Sequence, residues 1–311
     1  MNLPTIRQLE CLVAVANTLN FRRAAETCYI TQPALSAQIQ QLETMLGLKL
    51  FERDRRKVLP TPAGAAMAEK ARAVLTELRD LAQAASSFKQ PLSGTLRLGV
   101  IPTVAPYVLP RALEEVHRRF PSLRLLLREG LTQQLVELLN HGALDVVLLA
   151  LESDLADLET FALFPDRFLL AVPTAHPLAR HRRVSEKDLF EEEVLLLEDG
   201  HCLRDQVMAI CDRARACELG DFRASSLGTL VQMVSGGVGV TLLPELSLEV
   251  EARPERKLRL IPFGARGPSR TIGLAWRRSS LRKSEFRLLG EAIQSGLQRR
   301  AQPSQWVSSI W

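Results

Sequence analysis

The chain has 311 residues, 46% hydrophobic and 24% charged, with a net charge of +5. That balance excludes an extended disordered chain, leaves room for two or three packed cores, and is compatible with a nucleic-acid partner without requiring one. No apolar run reaches the roughly 18 residues of a membrane span, and the stretch Cys11–Ala16 behind Arg7 and Glu10 is too short for a signal peptide and reads as amphipathic helix, so a cytoplasmic protein with no membrane partner is expected.

Residues 1–46 read as three helices. Leu9, Leu12, Val13 and Ala16 recur at helical spacing. A short helix opens at Phe21 behind Asn20, a good N-cap, and its Ala24 and Ala25 permit close packing. The third follows Thr31, with Pro33 in its first turn and Gly47 as its stop. Leu48–Phe51 and Lys57–Pro60 flank a charged tip and predict a small hairpin. Thr61-Pro62 then starts a long helix to about Lys89, with Met67, Val74, Leu78, Leu81 and Ala85 as an apolar stripe. A long isolated amphipathic helix needs a partner for its stripe, so a dimer seam is expected.

Pro91–Gly94 reads as a linker. Beyond it strands and helices alternate: strands at 96–101, 123–128 and 145–151, helices at 107–119 and 132–140. Further strands are predicted at 168–172, 194–197, 240–243 and 272–276, before a final helix. This is the alternation of a parallel-rich α/β sheet, in one domain or two lobes. Residues 301–311 read as a flexible tail.

In the third helix Leu35, Ile39, Leu42 and Leu46 share one face. Pro33, Ser36, Ala37 and Gln40 then share the other, which is small and polar. Such a face fits a major groove, where Gln pairs with adenine edges and Ser with either base. Four of the five hairpin-tip residues, Arg53-Asp54-Arg55-Arg56-Lys57, are basic and suit phosphate. A plain three-helix bundle with a solvated loop is the alternative.

These residues carry a resemblance. Phe21-Arg-Arg-Ala-Ala-Glu, Thr31-Gln-Pro-Ala-Leu-Ser36, Ile39-Gln-Gln-Leu-Glu43, Leu50-Phe-Glu-Arg53 and Thr61-Pro-Ala-Gly64 resemble the DNA-binding domain of LysR-type transcriptional regulators. The resemblance implies an α/β protein overall. It would have a winged helix-turn-helix over 1–61, with the helix-turn-helix at about 21–40, and a linker and dimerisation helix over 62–90. A two-lobed regulatory domain resembling periplasmic binding proteins would fill 91–300, the chain crossing between its lobes twice. It further implies a homotetramer, built as a dimer of dimers, on promoter DNA, with RNA polymerase as a further partner. Thr31, Gln32, Pro33, Ser36, Gln40, Arg53, Arg55 and Arg56 become the candidate DNA contacts.

The cysteines are Cys11, Cys28, Cys202, Cys211 and Cys217. Their odd number and scatter do not suggest a structural disulfide framework, and no spacing suits a metal; no cofactor is expected. Asp199-Gly200 can open a helix with Cys202 in its first turn. There the helix dipole and Arg204 favour a thiolate, His201 adds positive charge or a hydrogen bond, and Asp205 can orient Arg204. Cys211 follows nine positions later, about 13.5 Å along an unbroken helix, whereas a disulfide needs Cα atoms within about 7 Å. If the two bond, the helix between them must unwind. The plain alternative makes all three late cysteines small buried hydrophobes.

The segment Leu197–Gln206 with Cys211 also resembles the peroxide-sensing branch of the LysR-type family. That resemblance implies hydrogen peroxide as the signal, transcription activation under oxidative stress, Cys202 as the peroxidatic and Cys211 as the resolving cysteine. It maps a peroxide pocket onto Thr103, Thr132, His201, Arg204, Asp205 and Arg277. The Gly run at 236–239 precedes a strand, the wrong context for a dinucleotide fingerprint. Two other functions stay open: a metabolite-gated LysR-type regulator with incidental cysteines, and a thiol peroxidase, which sits poorly with an intact DNA-binding module. The expected protein is not an enzyme.

Overall fold

A computed structural model of the chain describes residues 3–53, 57–87, 90–253, 257–265 and 267–299. The chain divides into two compact units at Ala85/Ser86. Among the described residues no helix is long and apolar enough to cross a membrane.

The first unit holds α1 (Ile6–Thr18), α2 (Phe21–Thr27), α3 (Gln32–Leu46), the hairpin β1 (Phe51–Arg53) and β2 (Val58–Pro60), and α4 (Pro62–Ser87). The first two helices start where their sequence supplies acceptors. Thr5 and Gln8 form a reciprocal capping box, and the Asn20 side chain accepts from the Arg22 and Arg23 amides. Gly47 ends α3 at φ +66°. Leu12, Val15, Leu35, Ile39 and Leu42 form the core between the first three helices.

Glu43 ties α3 to the hairpin. Its buried carboxylate accepts from the Leu50 amide at 2.9 Å and the Phe51 amide at 3.4 Å, with Lys49 Nζ at 3.1 Å. Burial works against the carboxylate charge, but the amides and Lys49 outweigh it and hold its pKa below the ordinary value. Gly64 meets the chain just behind that hairpin, where a Cβ would stand 1.8 Å from the Leu50 carbonyl oxygen. The Ala68 and Ala71 face of α4 joins the core. The expected apolar stripe is split. Met67 packs on the core, whereas Val74, Leu78 and Leu81 are exposed. The Ala85 side chain lies outside the described residues.

The second unit runs β3 (Gly94–Val100), α5 (Ala105–Arg119), β4 (Leu123–Glu129), α6 (Thr132–Asn140), β5 (Val146–Ala150), β6 (Leu158–Pro173), β7 (Glu193–Leu197), α7 (Cys202–Ala214), β8 (Cys217–Ala224), α8 (Leu227–Ser235), β9 (Thr241–Pro244), α9 (Leu248–Glu251), β10 (Leu258–Pro262), β11 (Ser269–Arg277) and α10 (Lys283–Arg299). Strand β3 runs parallel to β4 and β5, while β11 runs antiparallel to β5 and β6. Two separate cores result. One gathers Leu98, Val147, Ile272, Trp276 and Phe286, the other Leu170, Leu195, Val207, Val231 and Leu242.

Strand β6 joins the two. Up to Arg167 it pairs with β11, and from Phe168 onward with β9 and β10. The chain returns between Phe263 and Ser269, so it passes between lobes twice. The predicted strand at 168–172 is thus only the second half of a 16-residue strand. Its first half carries Glu159, Asp166 and Arg167, which break the apolar run that signals a strand. Strands β8 and β10 were not expected; β8 has Glu218, Gly220 and Asp221 inside it, and β10 is five residues long.

Candidate functional site

In the first unit α3 presents the face that sequence periodicity assigned to DNA. Thr31 is its N-cap residue, and Thr31, Gln32, Pro33, Ala37 and Gln40 are exposed, Ser36 half-buried. Leu35, Ile39 and Leu42 turn fully inward, so the polar face is free because the apolar face is taken. Lys57 is exposed. Asp54, Arg55 and Arg56, and the side chain of Arg53, lie outside the described residues.

In the second unit Cys202 lines a cavity of about 810 Å³. Cys202 is the first residue of α7 and Thr132 the first of α6, and both line the cavity. Two helix N-termini, the positively polarised ends, therefore meet there. Gly200 permits this approach: at φ +93° it carries no side chain where a Cβ would stand 2.9 Å from Leu131. Among the cavity's other lining residues are Ser153 and Gln206. Thr132 Oγ1, Ser153 Oγ and both polar atoms of the Gln206 side chain are buried without a hydrogen-bond partner. Buried polar groups are normally paired, so this wall can accept hydrogen bonds from, and donate them to, a polar guest.

Cys211 lies on the same helix, which runs unbroken from Cys202 to Ala214. Cys202 packs in the first core of the unit, Cys211 in the second. Both are free thiols. Burial pushes the Cys211 thiol up to about 11. Cys217 is exposed at the start of β8.

Several expected contacts differ. Arg204 is buried but spent elsewhere: Nε lies 2.8 Å from Asp199, and Nη1 and Nη2 donate to Glu218 at 2.9 and 3.2 Å. Arg223 bonds the same two acids, closing a four-membered ring of charge around the first turn of α7. Asp205 is exposed on the cavity wall rather than orienting Arg204. Burial pushes the His201 pKa down, which works against the positive charge expected of it.

Arg277 is at the far end of β11, donating to the Leu139 and Leu144 carbonyls at 2.7 and 2.9 Å. It is not among the residues lining the cavity. The arginine that reaches Thr103 is Arg270, whose guanidinium donates to Thr103 Oγ1 at 3.1 Å and to its carbonyl at 3.2 Å. Arg270 also pairs with Asp166 at 2.9 Å, and Asp166 accepts from the Leu246 amide. Sequence reasoning missed Arg270, Asp166, Ser153 and Gln206. Only Gln206 had a signal, its position four residues after Cys202 on one helix face.

Comparison with known proteins fits this architecture. The family of bacterial regulatory helix-turn-helix proteins of the lysR type matches residues 6–65, and the LysR substrate binding domain matches residues 89–298. The chain belongs to the LysR family of transcription regulators. Within it the chain is similar to OxyR. It is 45% identical over 293 residues to the DNA-binding transcriptional dual regulator OxyR of Escherichia coli K12, covering 93% of this chain and 95% of that one. A probable hydrogen peroxide-inducible genes activator of Mycobacterium avium is 43% identical, with 96% and 97% covered. Among solved structures, a full-length OxyR variant of Pseudomonas aeruginosa superposes with a TM-score of 0.78 at 32% identity, covering 94% of this chain and 96% of that one. A peroxide-bound OxyR mutant of Corynebacterium glutamicum gives 0.66 at 35% identity, covering 96% and 94%.

Proposed function

We propose that this regulator senses hydrogen peroxide at Cys202 and answers by changing how it holds promoter DNA. The carrying observation is the cavity in which Cys202 stands beside partnerless Thr132, Ser153 and Gln206. Peroxide is small and both donates and accepts hydrogen bonds, which suits those groups. Asp205 lines the same cavity, whereas Thr103, His201 and Arg204 are buried and not among its lining residues; Arg277 braces its lobe through the Leu139 and Leu144 carbonyls. The Cys202 thiolate attacks one peroxide oxygen, the O–O bond breaks, and the departing hydroxide takes a proton to become water. The sulfenic acid left on Cys202 is then attacked by the Cys211 sulfur. The S–S bond forms, the S–O bond breaks, and the Cys211 proton leaves with the hydroxyl as a second water.

That second step requires α7 to unwind, because the cysteines stand nine positions apart on one unbroken helix. Unwinding withdraws Cys202 from one core and Cys211 from the other, which converts a bond into a rearrangement. In this reading residues 1–61 bind DNA, 62–90 pair two copies, and 91–300 sense; the assembly is a dimer of dimers that activates RNA polymerase at its promoters. Footprinting on a candidate promoter with reduced and peroxide-treated protein tests it. Cys202→Ser is expected to give one footprint under both conditions, and Cys211→Ser to stop at the sulfenic acid. Peptide mapping is expected to link Cys202 to Cys211. A Cys202–Cys217 link, or no link with the DNA response intact, would overturn the choice of resolving cysteine.

One observation favours a second reading. A cavity of about 810 Å³ exceeds what peroxide needs and falls in the range of small-molecule sites. A metabolite-gated regulator would keep its full response in Cys202→Ser.

A further inference from the structure

The DNA-binding unit contains a second pair of thiols that the sensing chemistry above does not use. Cys11 lies inside α1 and Cys28 caps the C-terminus of α2, 0% and 6% exposed in the same core. Both side chains point into the core shared by α1, α2 and α3. Cys28 Sγ also lies 3.9 Å from the carbonyl of Glu10, the neighbour of Cys11, and the Arg7 guanidinium donates to the Cys28 carbonyl. Cys28 opens the turn to the DNA-reading helix: Tyr29 follows at φ +53°, then Ile30, then Thr31, the N-cap residue of α3.

We propose that Cys11 and Cys28 are a second oxidisable site, whose disulfide displaces the α2–α3 turn and thereby lowers DNA affinity independently of Cys202. Both are free thiols, so reaching the about 2.05 Å of a disulfide requires one end to move. Cys11 is fixed within a 13-residue helix packed in the core. Cys28 belongs to a turn, so the displacement falls on the segment that positions α3.

The order of events follows from the surroundings. Burial keeps the Cys11 thiol protonated, with its pKa pushed up to about 11. Burial raises Cys28 too, with the charge of Arg7 opposing it in part. In the proposed order Cys28, whose carbonyl Arg7 holds, reacts first. Its sulfur attacks hydrogen peroxide, the O–O bond breaks, and hydroxide leaves as water, giving a sulfenic acid. Cys11 attacks that sulfur, the S–S bond forms, and the hydroxyl leaves with the Cys11 proton as a second water. Two thiols lose two electrons in all and one peroxide gains them. Because both groups are buried and mostly protonated, this site reacts more slowly than an exposed thiolate and responds to sustained oxidant.

The test uses the full chain with Cys202, Cys211 and Cys217 all replaced by Ser, so that only Cys11 and Cys28 remain. Its reduced form is the reference for DNA affinity. Prolonged peroxide is expected to remove both thiols together, to link the Cys11 and Cys28 peptides, and to weaken DNA binding about tenfold, roughly the worth of one base contact. Dithiothreitol should restore both thiols and affinity. Adding Cys11→Ala should abolish the link and the reversible loss. Two unreacted thiols, oxygen added to Cys28 without a link, or a disulfide with unchanged affinity would each overturn the proposal. None depends on Cys202, so the peroxide-sensing reading stands or falls separately.

Discussion

Arg270 and Thr103 meet through two hydrogen bonds although 167 positions separate them. Arg270 is the second residue of β11, beside the point where β6 passes between the lobes, and Asp166 opposite it also holds the Leu246 amide. The pair therefore fastens the first turn of the regulatory fold to both crossovers.

Arg270→Ala should destabilise the regulatory domain by about 3–5 kcal/mol, because it strands the buried Asp166 carboxylate. Denaturant titration measures this. The double variant Arg270→Met with Asp166→Leu should lose much less than the sum of the two single losses. Strict additivity would show that the two residues do not act as a pair.

The charge ring around α7 should resist the unwinding that disulfide formation needs. Glu218→Gln removes two of Arg204's hydrogen bonds to a charged acceptor. At about 1 kcal/mol for a partly exposed pair, the Cys202–Cys211 link should form roughly fivefold faster at fixed peroxide. Stopped-flow oxidation of both proteins gives the comparison. Arg204 holds the Glu218 pKa below its ordinary 4.5, so the contribution is present above that value. It should fade as pH falls through the lowered folded value, and Glu218→Gln should show no such fading.

Leu78 stands exposed with Val74 and Leu81 on α4. If a second copy covers them, Leu78→Asp places a charge in the seam and breaks the dimer. Sedimentation velocity should then report a smaller species. An unchanged coefficient would rule out pairing through this face.

Glu43→Ala should unsettle the wing without touching the DNA-reading face. It strips the buried Leu50 and Phe51 amides of their acceptor, at a cost of about 1–3 kcal/mol. Thermal unfolding should show the loss, and DNA affinity should fall with the hairpin's order. Unchanged melting and binding would mean that water replaces the carboxylate.

What the sequence alone determined was local and repetitive. Leu35, Ile39 and Leu42 recur at the helical period, so which face of α3 is inward, and therefore which carries Gln32, Pro33, Ser36 and Gln40, follows from spacing. Asn20 and Gly47 mark helix ends by their own side-chain chemistry, or lack of it. Cys202 at a helix start and Cys211 nine residues on likewise needed only the helix between them. The site's long-range parts were a different matter. Nothing near Arg277 or Arg270 says which one reaches Thr103, because that depends on how β11 registers against β6, where Arg270 faces Asp166 across 104 positions. Asp205 is the neighbour of Arg204 in sequence, yet Glu218 and Asp199 hold it, because β8 and the end of β7 bring them there. Ser153 joins the cavity only because the first lobe's loop after β5 arrives beside α7. Strand register and lobe packing are set by the summed burial of two cores, and no single residue's type reveals which distant partner that sum will deliver.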